Sequence, residues 1–113
     1  MVSFKLKSRQ WLVDENDNII IGDGRREILE NIEKTGSLNQ TSKVMKMSYK
    51  GVWSKIKATE SSMNLKLVET NKKRGSHLTR EGKELLEKYN ILKSKCKKAD
   101  DEIFKSIFDK SQE

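Results

Sequence analysis

Apolar residues recur at helical spacing through the middle of the chain, and on either side of that stretch they alternate as they do in short strands. Across residues 4–13, Phe4, Leu6 and Leu12 fall on one face and Lys5, Lys7, Arg9 and Trp11 on the other, which predicts a strand. A polar turn, Asp14-Glu15-Asn16-Asp17-Asn18, separates it from a β-branched run, Ile19-Ile20-Ile21, that ends at Gly22. A β-hairpin follows from this order, with Trp11 covering a core edge. Asp23 or Gly24 then opens a helix whose apolar positions are Ile28, Leu29 and Ile32 and whose left-handed terminator is Gly36.

Two short helical patterns follow, meeting at a tight connection near Lys46, Met47 and Ser48. Ser37 with Gln40 forms an S-x-x-Q capping box at the start of the first, which carries Leu38, Val44 and Met45 on one side. Ser48 caps the second, in which Val52, Ile56, Thr59 and Met63 recur at three- and four-residue spacing. Its opposite side presents Lys50, Ser54 and Lys57, with Lys55 beside them, while Val52 and Trp53 belong to the core. A short helix, a turn and a second helix with a basic outer face meet the requirement of a helix-turn-helix, whose second helix enters the DNA major groove. Residues 65–70 read as a strand, residues 71–75 as a turn and residues 76–78 as the returning strand. A basic hairpin in this place is a wing, with Lys72, Lys73 and Arg74 at its tip and His77 on its return.

Thr79 caps a last helix that runs to about Lys110, roughly 48 Å at about 1.5 Å per residue. Leu85, Tyr89, Leu92, Cys96, Ala99 and Ile103 follow a 4-3-4-3-4 spacing, and Phe104, Ile107 and Phe108 broaden the stripe. A period near 3.5 suits a seam against a helix of another chain, so these residues are expected to form a dimer contact. Cys96 reads as seam packing, since no second thiol or histidine lies nearby in sequence.

Charge sharpens the picture. The net charge is +7, and residues 37–83 hold 11 Lys and Arg against 3 Glu, so the whole excess lies on the segment suspected of facing DNA. At 113 residues and 34% hydrophobic content the chain is one domain with a modest core. Residues 1–78 are expected to hold the hairpin and winged helix-turn-helix, and residues 79–113 the dimerisation helix. No apolar run is long enough to cross a bilayer and the first residues lack a signal-peptide pattern, so no membrane is expected as a partner. A single cysteine excludes an internal disulfide and a multi-thiolate metal site, in keeping with a cytoplasmic protein.

The run from Lys5 to Lys57, followed by LKLVETN and HLTREGKELLEKY, resembles the N-terminal domain of the molybdate-dependent transcriptional regulators of the ModE family. Gly36-Ser37, Ser48-Tyr49-Lys50 with Trp53 behind it, Leu67-Val68-Glu69, and Leu78-Thr79 leading to Gly82 are its most specific pieces. More distantly, the two-helix unit is similar to the winged domain of LysR-type regulators. The resemblance implies a mainly α fold with small β elements: a winged helix-turn-helix preceded by a β-hairpin, working as a homodimer on palindromic DNA. It places the DNA-reading helix at residues 48–57 and the wing at residues 71–77. The chain departs from the family in three ways. It stops where full-length members continue into molybdate-binding domains, so no cofactor and no molybdate site are expected in it. Its wing is short and carries Lys72-Lys73-Arg74 in place of a longer glycine-rich loop, and Thr41 and Ser42 stand where alanine is common.

The expected function is therefore sequence-specific binding of double-stranded DNA by a homodimer on an inverted repeat, for transcriptional regulation. Ser48, Tyr49, Lys50, Ser54, Lys55 and Lys57 are the candidate major-groove residues, with Lys50 and Lys57 reaching guanine edges or phosphates. The rival reading is a winged adaptor that binds protein or RNA without operator specificity. An enzyme is not expected. The chain holds one histidine and one cysteine, no glycine-rich phosphate loop and no zinc spacing, and Asp100, Asp101 and Glu102 lie on a lysine-rich solvated face.

Overall fold

The structure, a computed structural model, describes residues 2–108. Its elements are β1 (Leu12–Val13), β2 (Ile19–Ile21), α1 (Asp23–Thr35), α2 (Leu38–Val44), α3 (Tyr49–Met63), β3 (Val68–Asn71), β4 (Gly75–Leu78) and α4 (Arg80–Phe108). Mainly helical with two small antiparallel hairpins, it is a winged helix-turn-helix preceded by an N-terminal hairpin and followed by a long helix.

The first hairpin is shorter than the alternation in residues 4–13 predicts. Only Leu12 and Val13 pair with β2, across a bulge, while the Asp14 carboxylate accepts from the Asn16 and Asn18 amides, both at 2.9 Å, to shape the turn. The preceding residues leave the sheet and run along α4 as an extended arm. The Tyr89 hydroxyl donates to the Gln10 carbonyl (2.6 Å), Ser8 donates to Asp100 (2.5 Å), and Phe4 meets Phe108 edge-on at 5.9 Å. Alternation alone makes a strand only where a neighbour offers a ladder, and the arm has a helix beside it instead. Trp11, expected over a core edge, is 60% exposed.

The three central helices follow from local signals. Gly36 closes α1 at φ 68°, its amide donating to the Ile32 carbonyl, and Ile28, Leu29 and Ile32 turn into the core beside Leu38, Val52 and Ile56. Ser37 caps α2 by accepting from the Gln40 amide at 3.1 Å. The other half of the expected capping box is missing: the Ser37 amide donates to the Thr35 hydroxyl, not to Gln40. On α2 it is Leu38, Thr41 and Ser42 that are buried, whereas Val44 is 58% exposed. The helix is only seven residues long, and with small side chains at Thr41 and Ser42 its close-packed side rotates away from Val44. Both hydroxyls are satisfied locally, Thr41 by the Ser37 carbonyl and Ser42 by that of Asn39. Arg25 stitches the first hairpin to α3, donating to the Ile19 carbonyl and to Thr59, which in turn donates to the Ile20 carbonyl.

Helix α4 starts where Thr79 accepts from the Gly82 amide (3.0 Å) and donates to the Lys66 carbonyl (2.7 Å). Its 29 residues span roughly 43 Å, and the molecule measures 62 × 31 × 21 Å. Residues 109 and 110, which complete the expected helix, lie outside the described residues. Three members of the expected intermolecular contact are engaged within the chain. Tyr89 is buried in the core and Leu85 packs against it. Phe104 is likewise occupied, stacking on Phe108 at 5.0 Å beneath the arm. Helical rotation of about 100° per residue puts Asp100 and Phe104 on the arm's flank of α4, and Leu92, Ala99 and Ile103 on the other. On that second flank Ala99 and Ile103 are exposed and Leu92 and Cys96 are partly so, while Ile107, also exposed, lies at the boundary between the two flanks.

Candidate nucleic-acid interface

The turn between α2 and α3 is built by three residues. Lys46 takes a left-handed conformation (φ 54°), the Met47 amide donates back to the Ser42 carbonyl (2.9 Å), and Ser48 accepts from the Gly51 amide (2.9 Å) to start α3. Because the Ser48 oxygen serves the helix as acceptor, its own hydroxyl proton remains available for an outside acceptor such as a phosphate. Tyr49 follows at the first helical position and is 51% exposed. One turn on, the Ser54 hydroxyl donates to the Gly51 carbonyl (3.1 Å), which leaves it an acceptor towards anything outside.

The four expected basic and polar positions of α3 do not share one face. Lys50 and Ser54 are exposed together on the side away from Val52 and Ile56. Lys55 lies on the other flank, where it lines a crevice with Arg25, Ile20 and Leu85. Lys57 is diverted. Its ammonium sits 4.5 Å from the Trp53 ring centroid and 3.2 Å from the Glu60 carboxylate. Trp53 is therefore a half-buried residue at the margin of the core with a cation over its ring, rather than a fully enclosed anchor.

The wing pairs in full register, Val68↔Leu78 through Asn71↔Gly75, with exposed Lys72, Lys73 and Arg74 at the turn. Asn71 stabilises that turn by accepting from the Lys73 amide at 2.8 Å. Gly75, expected in the turn, opens β4 at φ 77°, and a Cβ there would lie 2.3 Å from the Gly36 carbonyl oxygen. That approach lets the Ser76 amide donate to the Gly36 carbonyl (2.9 Å), docking the wing on the end of α1. His77, counted among the contacting residues, instead faces its cross-strand neighbour Glu69 at 3.3 Å.

Two carboxylates at the wing root escaped the sequence reading. Glu60 of α3 accepts from the Leu67 (2.8 Å) and Val68 (3.2 Å) amides, and Glu33 of α1 accepts from the Leu78 amide (3.1 Å). The signal for Glu60 was present: it occupies a position on the apolar stripe of α3, four residues after Ile56 and three before Met63, where an acid is out of place. Among the described residues no group of His, Cys, Asp or Glu could hold a metal ion, and no helix is long and apolar enough to cross a membrane.

A capped helix pair with an exposed Lys50–Ser54 face, flanked by a basic wing, defines the DNA-binding domain of a transcriptional regulator. Known proteins agree. The family model for bacterial regulatory helix-turn-helix proteins of the lysR family matches residues 25–83, and the chain belongs to that family. The transcriptional regulator ModE of Yersinia pestis is 36% identical over 89 residues, which cover 74% of this chain and 34% of that protein. The crystal structure of a LysR family transcriptional regulator shares the fold, with a TM-score of 0.59 and 14% identity over 75% of this chain and 30% of that one. The chain thus spans about a third of the length of these relatives.

Proposed function

We propose that the chain binds double-stranded DNA as a homodimer on an inverted repeat, in the cytoplasm, and so controls transcription. In this reading residues 1–78 carry the DNA-reading unit and residues 79–113 the dimerisation helix. The observation that carries it is the exposed Lys50–Ser54 face of α3, with Ser48 and Tyr49 at its start and Lys72, Lys73 and Arg74 on the wing beside it. Two such faces related by a two-fold axis and about 34–36 Å apart meet successive major grooves. The free flank of α4, with Leu92, Cys96, Ala99 and Ile103 and with Ile107 at its edge, is the contact that supplies the axis. Lys50 reads a base edge, Ser48 and the wing cations hold phosphates, and Lys55, on the far flank of α3, adds only to the general field.

Selection of bound duplexes from a random pool tests this directly. A two-fold consensus with half-sites one helical turn apart is expected. A set of bound sequences with no symmetry would overturn the dimer, and no enrichment with no salt dependence would leave the adaptor reading in its place.

A further inference from the structure

At the root of the wing, the outward-facing amides of the Val68–Leu78 pair are both taken by carboxylates from the helix bundle. Glu60 of α3 receives Val68 as well as Leu67, and Glu33 of α1 receives Leu78. Glu60 is the enclosed member, 8% exposed, and its two oxygens have separate tasks. One accepts the Leu67 and Val68 amides, while the other holds the Lys57 ammonium, itself stacked on Trp53. The side chain thus ties the first strand of the wing to the reading helix and at the same time occupies that helix's Lys57.

We infer that Glu60 is a positioning residue for DNA recognition, coupling the wing to the reading helix and holding Lys57 off the phosphates. The inference rests on the proposed DNA-binding function. On the β4 side Ser76 and Leu78 already dock the wing on α1, so Glu60 is the tie that fixes β3 to the reading helix. With that strand loose, the tip cations contribute less because ordering them costs entropy at the moment of binding. With the root fixed by a charge-assisted acceptor, Lys72, Lys73 and Arg74 arrive at the duplex already placed. Lys57, although on a basic helix, is neutralised locally and does not add to the count of phosphate contacts.

The test is a mutant cycle on the full chain with a mixed-sequence duplex as probe. Replacing Lys72, Lys73 and Arg74 together by Ala is expected to weaken binding by about tenfold or more. In a Glu60→Ala background the same triple change is expected to alter affinity less than about twofold. A Glu60→Gln background, which keeps an acceptor for the two amides, restores the full effect. An undiminished loss in the Glu60→Ala background overturns the coupling. Lys57→Met, an exposed change that does not threaten folding, is expected to leave the salt slope unaltered, and a slope lower by about one refutes the second half of the claim. Amide hydrogen exchange without DNA provides an independent reading. Protection at Leu67 and Val68 should fall in Glu60→Ala and persist in Glu60→Gln, and equal protection in both means there is no clamp. If the unaltered chain shows no salt-dependent duplex binding, the proposed function itself is wrong and this role falls with it, whatever the exchange data say of the contact.

Discussion

Replacing Gly82 by Ala sets two physical effects of opposite sign against each other. Gly82 lies in the first turn of α4, where Ala ordinarily stabilises a helix by about 1 kcal/mol relative to Gly. Here the added Cβ would sit 2.2 Å from the Leu67 carbonyl oxygen, 3.1 Å from its carbon and 3.3 Å from its Cα. Those are backbone atoms, so the contact must open by more than 1 Å to reach the 3.4 Å of ordinary van der Waals approach. Opening it works against the Thr79 amide bond to the same oxygen (2.9 Å), worth about 1 kcal/mol, and overpacking of this kind costs about 1–3 kcal/mol. The net expectation is destabilisation by about 1–3 kcal/mol, a fall in Tm of roughly 4–12 °C for a domain of this size. Gly24→Ala is the control, since nothing lies within 4 Å of a Cβ there, and that variant should match or slightly exceed the parent. Thermal and urea unfolding of both proteins decides the matter. Should Gly82→Ala unfold within about 0.5 kcal/mol of Gly24→Ala, the close approach of α4 to Leu67 is not rigid and the reasoning fails.

Ile103→Asp, on the exposed flank of α4 (57% exposed), is expected to leave the melting of the monomer unchanged and to abolish the dimer in sedimentation, and a persistent dimer would move the contact elsewhere. Lys50→Ala should lower affinity for the selected operator by about 1–3 kcal/mol while barely changing binding to mixed duplex, and an equal loss on both would make Lys50 a phosphate contact. The hydrogen bond from Lys93 holds the Asp23 carboxyl below its ordinary 3.8, against opposing desolvation, with further help from the charge of Lys93, the Tyr89 hydroxyl and Arg26. A carboxyl depressed in the folded state contributes stability that is complete above its unfolded pKa and disappears as pH falls through the folded one. Stability of the parent and of Asp23→Asn should therefore differ by a constant amount above about pH 5 and converge in stronger acid, as read from urea unfolding at a series of pH values. Tyr89→Phe removes the bond to the Gln10 carbonyl (2.6 Å) and is expected to cost about 0.5–1.5 kcal/mol in the same assay, and no change there would show that the arm is not held by that residue.

What the sequence discloses and what it conceals divide along a physical line. The spans of α1, α3 and the wing are legible because their signals are local: Gly36 as a left-handed stop, Ser48 as a cap, and an apolar stripe from Val52 to Met63. The fate of residues 4–13 depends on whether a neighbouring strand or a helix lies alongside, and alternation does not carry that information. Val44 matches an apolar pattern but is the last residue of α2, and Trp11, expected over a core edge, stands just before β1, where the core no longer reaches. In the candidate site, the exposed Lys50 and the wing tip were read correctly as solvent-facing, because helix phase and turn position determine exposure. The partners of Lys57 and His77 are local, an i, i+3 pair with Glu60 on α3 and a cross-strand pair with Glu69 in the hairpin, so spacing permits them. The burial that makes Glu60 a fixed partner is visible only in the folded chain. Dimer residues divided likewise. Heptad spacing found the stripe on α4, but only the folded chain shows that Leu85, Tyr89 and Phe104 already have intramolecular neighbours.

Helix α4 is seated on the wing root with Thr79 alone between β4 and the helix, which it caps. Mechanically that makes a lever with its fulcrum at Leu67. A rod of roughly 43 Å tilted by about 5° sweeps its far tip through about 4 Å, so a modest displacement where Phe4 meets Phe108 is geared down to a fine rotation at the wing root.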